Sequence, residues 1–305
     1  MKEFEVILFY KYIRIAETVA FLIAQRLLCQ RLALKGRILI AEEGINGTLE
    51  GTRGNIEEYC NILRADSRFS DIAFKRSVGD GKAFNKLVIK VRPEIVTSGF
   101  GTLGNVDKRI TGKHLKPEEL KAWIENGKEF YIVDMRNDYE QKSGYFKGSI
   151  LSGVRNFKDI PKFIPKLDYL KEKDILAVCT GGVRCEKASG LLMENGFENV
   201  YQLYGGMHAY MEKYPNEDFL GKLYVFDKRI LVGFNMDSDR HKVVASCEKC
   251  GEQSENYVNC RYDECHRHYI ICEPCNKKAN GFCGLKCRLA NRPVFRFFSR
   301  LVSSK

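Results

Sequence analysis

The sequence lacks any apolar run long enough to cross a membrane. A spanning helix needs about 20 consecutive apolar residues, and polar residues interrupt every hydrophobic stretch sooner. The first ten residues, M-K-E-F-E-V-I-L-F-Y, include acidic residues where a signal peptide is basic, and they contain no small-residue cleavage site. These absences predict a cytoplasmic protein with no membrane partner, whose N-terminus is a β-strand. The sequence also contains no flavin, haem or dinucleotide (NAD) motif.

Acidic residues are too few to balance the basic ones. The 39 Asp and Glu residues stand against 50 Lys and Arg residues, which gives a net charge of +11 and a pI near 9.0. This excess favours a polyanionic partner, and it favours nucleic acid over a membrane surface because no long amphipathic helix dominates the sequence. Charge alone is explained equally well as solubilising surface charge. The sequence does not indicate an oligomeric state.

Cysteine is abundant, but its distribution argues against the disulfide framework of a small secreted protein. Four of the twelve cysteines are scattered, and the other eight lie between residues 247 and 287. Two C-x-x-C pairs among the eight are typical of thiolate ligands for tetrahedral Zn²⁺, so the set could fill two sites, with His266 and His268 as substitutes. The alternative is a reduced tail that binds no metal. The candidate ligands are Cys247, Cys250, Cys260, Cys265, Cys272, Cys275, Cys283 and Cys287.

The order of predicted helices and strands indicates a protein of mixed α/β and α+β class. Residues 1–93 follow the order β-α-β-β-α-β-β of a ferredoxin-like or acylphosphatase-like domain. Strands alternate with helices in residues 114–213, which predicts a parallel sheet. The other predicted segments are a linker at 94–113, a hairpin connector at 214–245, and a Cys-rich module with a basic tail at 246–305.

Two runs at helical spacing carry further predictions. The apolar residues Val19, Leu22, Ile23 and Leu27 recur at helical spacing and predict a first helix within residues 16–34. In the tail, arginines recur every four residues from Arg288 to Arg300 with aromatic residues between them. That pattern suits RNA phosphates and bases, and the alternative is a solvated tail.

The strongest functional signal is the stretch D-I-L-A-V-C-T-G-G-V-R-C-E-K-A-S-G at residues 174–190. A short apolar strand runs into Cys179, and a helix begins a few residues later. A thiol at such a turn meets free backbone N–H groups and the positive end of the helix dipole, which stabilise a thiolate. We therefore predict a reactive Cys179 surrounded by an anion cradle, which consists of Thr180, Gly181, Gly182, Val183 and Arg184.

The residues of this loop leave the chemistry of Cys179 open. A thiolate can carry a persulfide and pass sulfur on, attack a phosphate, or form a covalent or oxidised intermediate with a substrate base. The loop between Cys179 and Arg184 is short for a phosphatase, so the second chemistry is disfavoured. Cys185 is a candidate second thiol, which could resolve an oxidised Cys179 or simply pack in the helix.

The string C-T-G-G-V-R resembles the active-site loop of rhodanese domains, and C-T-G-G-V-R-C-E-K-A-S resembles that of rhodanese-like tRNA uridine hydroxylases. The strings A-E-E-G-I-N-G-T, V-D-M-R-N-D-Y-E and V-F-D-K-R, with the Cys-rich tail, extend this resemblance over nearly the whole chain. It implies a rhodanese domain at residues 114–213 and oxygen-dependent hydroxylation of the tRNA wobble uridine to 5-hydroxyuridine. The implied substrates are tRNA and molecular oxygen, and the implied catalytic residue is Cys179.

The resemblance extends to residues around the loop. Asp134, Arg136 and Glu140 resemble the D-x-R-x-x-x-E signature of rhodaneses, which implies that they brace loops near the active site. Tyr145 stands where many rhodaneses have a histidine, so His-assisted chemistry is not expected at this position.

An acidic loop in the first domain allows two interpretations. Glu42, Glu43 and Asn46 could form a catalytic acidic patch, but their turn-forming neighbours favour a hairpin. We predict the hairpin.

Two rival functions remain at this stage. A plain sulfurtransferase would carry a persulfide on Cys179 and leave tRNA unchanged. A non-catalytic RNA-binding adaptor would bind tRNA with strong salt dependence and also leave it unchanged.

Overall fold

The structure, a computed structural model, describes residues 3–101 and 110–291. Within these residues the chain divides into two compact units. The second unit contains residues 139–147, 216–224 and 230–291, and the first contains the remainder. No helix in the described ranges is both long and apolar enough to span a bilayer.

The first unit begins with a five-stranded sheet and two helices, here called the first domain (residues 3–92). Ile7 and Phe9 alternate along its first strand with Leu8 and Tyr10, so the first pair is buried in the core and the second pair lies on the other face of the sheet. The strand order is β4-β1-β3-β2-β5, with only β2 and β5 parallel. This confirms the predicted acylphosphatase-like α+β domain. Its elements are β1 (Phe4–Tyr12), α1 (Thr18–Arg31), β2 (Lys35–Ala41), β3 (Gly44–Thr52), α2 (Arg53–Ala65), β4 (Phe74–Gly79) and β5 (Leu87–Val91).

Helix α1 turns a different face to the core than the apolar spacing predicts. The predicted helix is present, but Val19, Ile23 and Leu27 are 63%, 52% and 62% exposed. Gln25 is buried instead, and its Oε1 accepts a hydrogen bond of 2.8 Å from the hydroxyl of Tyr59. A buried polar side chain with a partner costs little, and hydrophobic periodicity cannot anticipate that partner.

A second sheet, entirely parallel, forms the rest of the first unit. Its order is β6-β11-β10-β7-β9, and the central strand β10 is apolar because it is covered on both faces. This confirms the predicted rhodanese domain with a parallel sheet. The elements from residue 113 to residue 213 are β6 (Lys113–Leu115), α3 (Pro117–Glu125), β7 (Tyr131–Asp134), α4 (Asp138–Gln141), β8 (Gly144–Phe146), β9 (Ile150–Leu151), α5 (Ile160–Phe163), β10 (Asp174–Val178), α6 (Val183–Glu194), β11 (Asn199–Leu203) and α7 (Gly206–Lys213).

The second unit consists of three two-stranded pairings and two short helices. Strand β8 pairs with β12, β13 pairs with β14 as the hairpin predicted from the sequence, and β15 pairs with β16. Its buried cluster near residues 247–287 consists largely of cysteines, with Tyr269, Ile271 and Phe282. Of the predicted arginine stripe, all but Arg288 lies outside the described residues. The elements are β12 (Phe219–Gly221), β13 (Leu223–Tyr224), β14 (Leu231–Val232), β15 (Tyr257–Asn259), β16 (His268–Ile270), α8 (Glu273–Ala279) and α9 (Leu285–Ala290).

Candidate active site and cysteine clusters

Residues 179–184, here called the Cys179 loop, join the central strand β10 to helix α6. Gly182 caps the helix with a φ of +99°, a conformation that favours glycine. Its N–H donates to the Cys179 sulfur at 3.2 Å. The backbone N–H groups of Arg184 and Cys185 also stabilise negative charge on this sulfur, and that of Cys185 donates to the Gly182 carbonyl at 2.9 Å. The thiol thus meets backbone N–H groups at the N-terminus of a 12-residue helix.

The surroundings of Cys179 favour its thiolate. Burial alone would raise the pKa, but the Cys185 thiol donates a hydrogen bond to the sulfur, and the Arg184 charge and the backbone N–H groups act in the same direction. Together they lower the pKa of Cys179 from 9.0 to about 6. Burial, and then contact with Cys179, raise the pKa of Cys185 well above its ordinary value. At neutral pH Cys179 is therefore ionised while Cys185 stays protonated and serves as its donor.

Arg184 folds back onto its own loop. Its side chain is 6% exposed, and its Nη2 donates to the Thr180 hydroxyl at 3.3 Å. The guanidinium carbon lies 5.8 Å from the centre of the Phe226 ring. The cation is therefore held beside the thiolate by a hydrogen bond and an aromatic face.

The first domain covers the Cys179 loop. A Cβ atom on Gly181 would lie 2.6 Å from Cδ2 of Leu8, and one on Gly182 would lie 2.7 Å from the hydroxyl of Tyr10. A side chain at either position would have to displace these groups, and at Gly182 it would also be strained by the φ of +99°, because strand β1 passes directly over the loop. As a result, Cys179 has 0% exposure.

The start of helix α7 holds the loop from another side. The N–H of Met207 donates to the carbonyl of Cys179 at 2.9 Å, and the N–H of His208 donates to that of Thr180 at 3.0 Å. Gly206 has a φ of +69°, and a Cβ there would lie 2.7 Å from the Cys179 carbonyl oxygen. The G-G-M-H sequence therefore fixes the loop through its backbone.

Glu186 connects several segments behind the loop. Its Oε1 accepts from the Tyr10 hydroxyl at 3.3 Å and lies 3.0 Å from Nε2 of His114. Its Oε2 accepts from the Thr111 hydroxyl at 2.9 Å and from Nε2 of Gln202 at 3.3 Å. This buried carboxylate therefore joins strand β1, the end of the linker, strand β6 and strand β11.

Lys187 links the acidic loop of the first domain to helix α6. Its buried Nζ lies 3.0 Å from Oε1 of Glu43 and 2.8 Å from Oε1 of Glu94. Glu43 Oε1 also accepts from the N–H of Ile95 at 2.8 Å, while Glu42 and Glu43 form the turn between β2 and β3. The predicted hairpin is present, and Glu43 additionally forms a buried ion pair across domains.

Replacing Lys187 with methionine should lower the free energy of unfolding by about 3–5 kcal/mol, because two largely buried carboxylates lose their cation. Urea unfolding would measure the loss. Lys162, which is 81% exposed, provides the control, since Lys162→Met should change stability by less than about 0.5 kcal/mol. Equal stability of the two variants would contradict the structural role of Lys187.

The motif D-x-R-x-x-x-E supports strand β10 from the side. Asp134 and Arg136 are both 0% exposed and form a bidentate pair, with Nη2 and Oδ2 2.7 Å apart. The intervening Met135 N–H donates to the carbonyl of Val178, the residue before Cys179, at 2.9 Å. Glu140 is buried within the second unit.

Several residues near the Cys179 loop carry no motif in the sequence. Tyr10, Glu186, His208 and Lys75 of strand β4 were all missed; Lys75 is only 8% exposed. Burial, followed by the charges of Lys75 and Arg229, lowers the pKa of His208 to about 4, so this imidazole is neutral. The sequence shows only that Lys75 lies on a strand, whose alternation places its side chain on one of two faces. It does not show which part of the protein that face contacts.

The eight cysteines of the second unit form two clusters of four, in which all sulfurs lie within 4.8 Å of one another. Along the chain the eight cysteines come as four successive pairs. The first and third pairs form one cluster and the second and fourth pairs form the other, so the two clusters are interleaved in sequence. The first Cys cluster is Cys247, Cys250, Cys272 and Cys275, and the second is Cys260, Cys265, Cys283 and Cys287. His266 and His268 belong to neither.

The sulfur spacings fit tetrahedral coordination. Zn–S bonds of about 2.3 Å place sulfurs about 3.8 Å apart on a tetrahedron. The distances are 3.6 Å for Cys250–Cys272, 3.7 Å for Cys265–Cys283 and 3.5 Å for Cys283–Cys287, and all twelve cysteines are free of disulfides. Both clusters could bind a metal ion.

Comparison with known proteins agrees with this architecture. Three family profiles match: UPF0176 acylphosphatase like domain over residues 4–95, Rhodanese-like domain over 116–213, and Rhodanase C-terminal over 220–288. The tRNA uridine(34) hydroxylase of Cytophaga hutchinsonii is 42% identical over 94% of this chain and 91% of its own. The protein of the same name from Bacillus velezensis is 40% identical over 96% of this chain and 91% of its own. That from Enterococcus faecalis is 38% identical over 98% of this chain and 93% of its own. The chain belongs to the tRNA uridine(34) hydroxylase family.

Proposed function

We propose that this protein hydroxylates C5 of the wobble uridine in tRNA, with Cys179 as the catalytic residue and molecular oxygen as co-substrate. The observation that carries the proposal is the position of Cys179, a buried thiolate on a rhodanese loop, in a chain whose relatives of 38–42% identity are named tRNA uridine(34) hydroxylase. The net charge of +11 supports a polyanionic substrate. We infer that the protein acts in the cytoplasm.

In the first step, the thiolate of Cys179 adds to C6 of the uracil ring. The sulfur lone pair forms the C6–S bond, and the C5=C6 electron pair moves towards O4 as an enolate. C5 then becomes a much stronger nucleophile than it is in uracil itself. The backbone N–H groups around the sulfur keep the thiolate available, so the anion cradle serves the nucleophile.

In the second step, C5 attacks oxygen that has been reduced to the level of peroxide. Molecular oxygen must receive two electrons and two protons from a reductant, and C5 takes one oxygen while hydroxide leaves. Loss of the C5 proton and departure of the thiolate then restore the C5=C6 bond. The overall balance is uridine, oxygen, two electrons and two protons giving 5-hydroxyuridine and water.

Access to Cys179 requires movement of the covering strand. A sulfur with 0% exposure cannot meet a nucleobase while Leu8 and Tyr10 lie over the loop. We infer that β1 separates from the Cys179 loop to admit the uracil ring of tRNA and closes over it before the thiolate attacks. The closed arrangement protects a thiolate that would otherwise oxidise readily.

We further propose that each Cys cluster holds a structural Zn²⁺ ion. Four thiolates at tetrahedral spacing are typical of zinc sites that leave no position for a substrate. The cysteines take part in the buried core of the module, which has few other apolar residues, so the metal would supply folding energy and no chemistry.

Nucleoside analysis of tRNA tests the function. Cells that lack the gene should lose 5-hydroxyuridine and nucleosides made from it, and a plasmid copy should restore them. An unchanged nucleoside profile would reject the proposal. In that case a thiosulfate-dependent persulfide on purified Cys179 would identify a sulfurtransferase, and tRNA binding without a persulfide would identify an adaptor.

A further inference from the structure

Lys75 lies on the face of the first domain that covers the Cys179 loop. Strand β4 pairs antiparallel with β1, and Lys75 stands directly opposite Leu8. Leu8 and Tyr10 contact the two glycines of the loop, as described above. Opposed residues share one face of a sheet, so Lys75 points to the same side as Leu8. Its Cε comes within 3.7 Å of where a Cβ on Gly205 would lie.

Within residues 3–101 and 110–291, this lysine is a buried cation with no carboxylate in ion-pair range. Among the described residues, no Asp or Glu oxygen lies within 4.0 Å of Nζ, although the side chain is only 8% exposed. Nζ lies 4.5 Å from the centre of the Tyr10 ring. Burial and the nearby Glu186 raise the pKa of Tyr10 well above its ordinary value, so this ring remains neutral. A buried ammonium facing a neutral phenol requires another source of negative charge.

The thiolate of Cys179 supplies that charge. Burial lowers the pKa of Lys75 to about 8, and the charges that oppose this fall are Cys179 first and the Glu186 carboxylate second. Arg184, a second cation at the loop, is held by the Thr180 hydroxyl and the Phe226 ring and lies outside the first domain. The first domain therefore adds its own positive charge to the site.

We propose that Lys75 is a positioning residue that acts as the counter-cation of the Cys179 thiolate, contributed by the first domain to the closed site. Its ammonium stabilises the thiolate, and it stays beside the closed site as negative charge moves from sulfur into the uracil ring. The inference rests on the proposed use of Cys179 as nucleophile. It does not depend on which electrophile the thiolate attacks.

The proposal predicts how the reaction depends on pH. Thiolate and ammonium coexist between the pKa of Cys179, about 6, and that of Lys75, about 8. The rate should therefore rise near pH 6 and fall near pH 8. The ionisable groups that face this pair are Tyr10 on β1, Arg184, Cys185 and Glu186 on α6, and His208 on α7.

Two substitutions separate this role from a structural one. Lys75→Met should lower kcat/KM for tRNA about 100-fold at neutral pH and raise the pKa of the Cys179 thiol. Lys75→Arg should keep kcat/KM within about 10-fold and abolish the fall near pH 8, because a guanidinium does not lose its proton in this range. Lys90→Met, an exposed lysine on β5, is the matched control and should change neither quantity.

The Cys179 titration is followed by thiolate ultraviolet absorbance, with the Cys179→Ser protein subtracted. It requires no hydroxylation, so it tests Lys75 even if the unaltered protein forms no 5-hydroxyuridine. An unchanged Cys179 titration in Lys75→Met would overturn the proposal, as would an alkaline limb that persists in Lys75→Arg. If Lys75→Met fails to fold, the Lys75→Arg variant alone tests the proposal, through the presence or absence of the fall in rate near pH 8.

Discussion

Replacing Cys179 with serine should lower the rate of 5-hydroxyuridine formation by at least about a thousand-fold. A serine hydroxyl cannot ionise at neutral pH even where the Cys185 thiol, the Arg184 charge and backbone N–H groups lower the pKa of a thiol to about 6. The substitution removes one sulfur and leaves the loop backbone unchanged, so tRNA binding should persist. Single-turnover hydroxylation of purified tRNA, with nucleosides quantified by mass spectrometry, measures the effect. Hydroxylation at the unaltered rate would remove Cys179 from the mechanism.

Variants of Cys185 are the matched control for this experiment. Cys185 is equally buried and bonds to the same sulfur, but its raised pKa keeps it protonated. Cys185→Ser retains a donor and should stay within about ten-fold of the unaltered rate, while Cys185→Ala should raise the pKa of Cys179. If Cys185→Ser abolished hydroxylation while Cys179 still titrated near 6, Cys185 would instead be a redox-active second thiol.

Removal of metal should unfold the Cys-rich module. We expect two zinc ions per chain, one for each cluster, and we expect a strong chelator to abolish the ordered circular-dichroism signal of residues 247–287. Structural zinc contributes on the order of 10 kcal/mol to folding in small modules, more than the few apolar residues here can replace. A purified protein that contains no zinc, yet resists proteolysis in this region, would reject both sites.

A single cysteine substitution makes the same test more specific. Because the ligand pairs are interleaved, Cys272→Ser should release the ion of the first Cys cluster and also weaken the second, so that bound zinc falls by more than one ion. Lys277→Met on the same helix changes a 75% exposed side chain and should leave the zinc content intact. Loss of only one ion in Cys272→Ser would show that the clusters fold independently.

The architecture could be predicted to a large extent because its signals are local. The β-α-β-β-α-β-β order of the first domain and the strand that ends at Cys179 follow from hydrophobic period and turn residues within short windows. The buried face of α1 could not be predicted, since it depends on a hydrogen bond between Gln25 and Tyr59, which are 34 positions apart. The α1 pattern is therefore a case in which tertiary packing outweighs amphipathic spacing.

The candidate site also has a part that the local sequence predicts and a part that depends on tertiary packing. The Cys179 loop is contiguous in the chain, and both its cysteine and its glycines carry a recognisable pattern. Lys75 and Tyr10 reach the site only because the sheet of the first domain lies on the loop, more than 100 positions away. Glu43 was noticed, but its role could not be inferred, since its partner Lys187 lies on another domain.

The cover over the Cys179 loop also affects how the chain is synthesised. All strands of the first domain have been made by residue 92, yet Leu8, Tyr10 and Glu43 find their partners only when residues 181–187 appear. At about 5–20 residues per second, the ribosome needs roughly 5–20 seconds to make that intervening stretch. During this interval a folded sheet presents an apolar face and the Glu43 carboxylate to the cell. Nascent chains of this protein are therefore expected to be clients of ribosome-associated chaperones until the rhodanese domain docks.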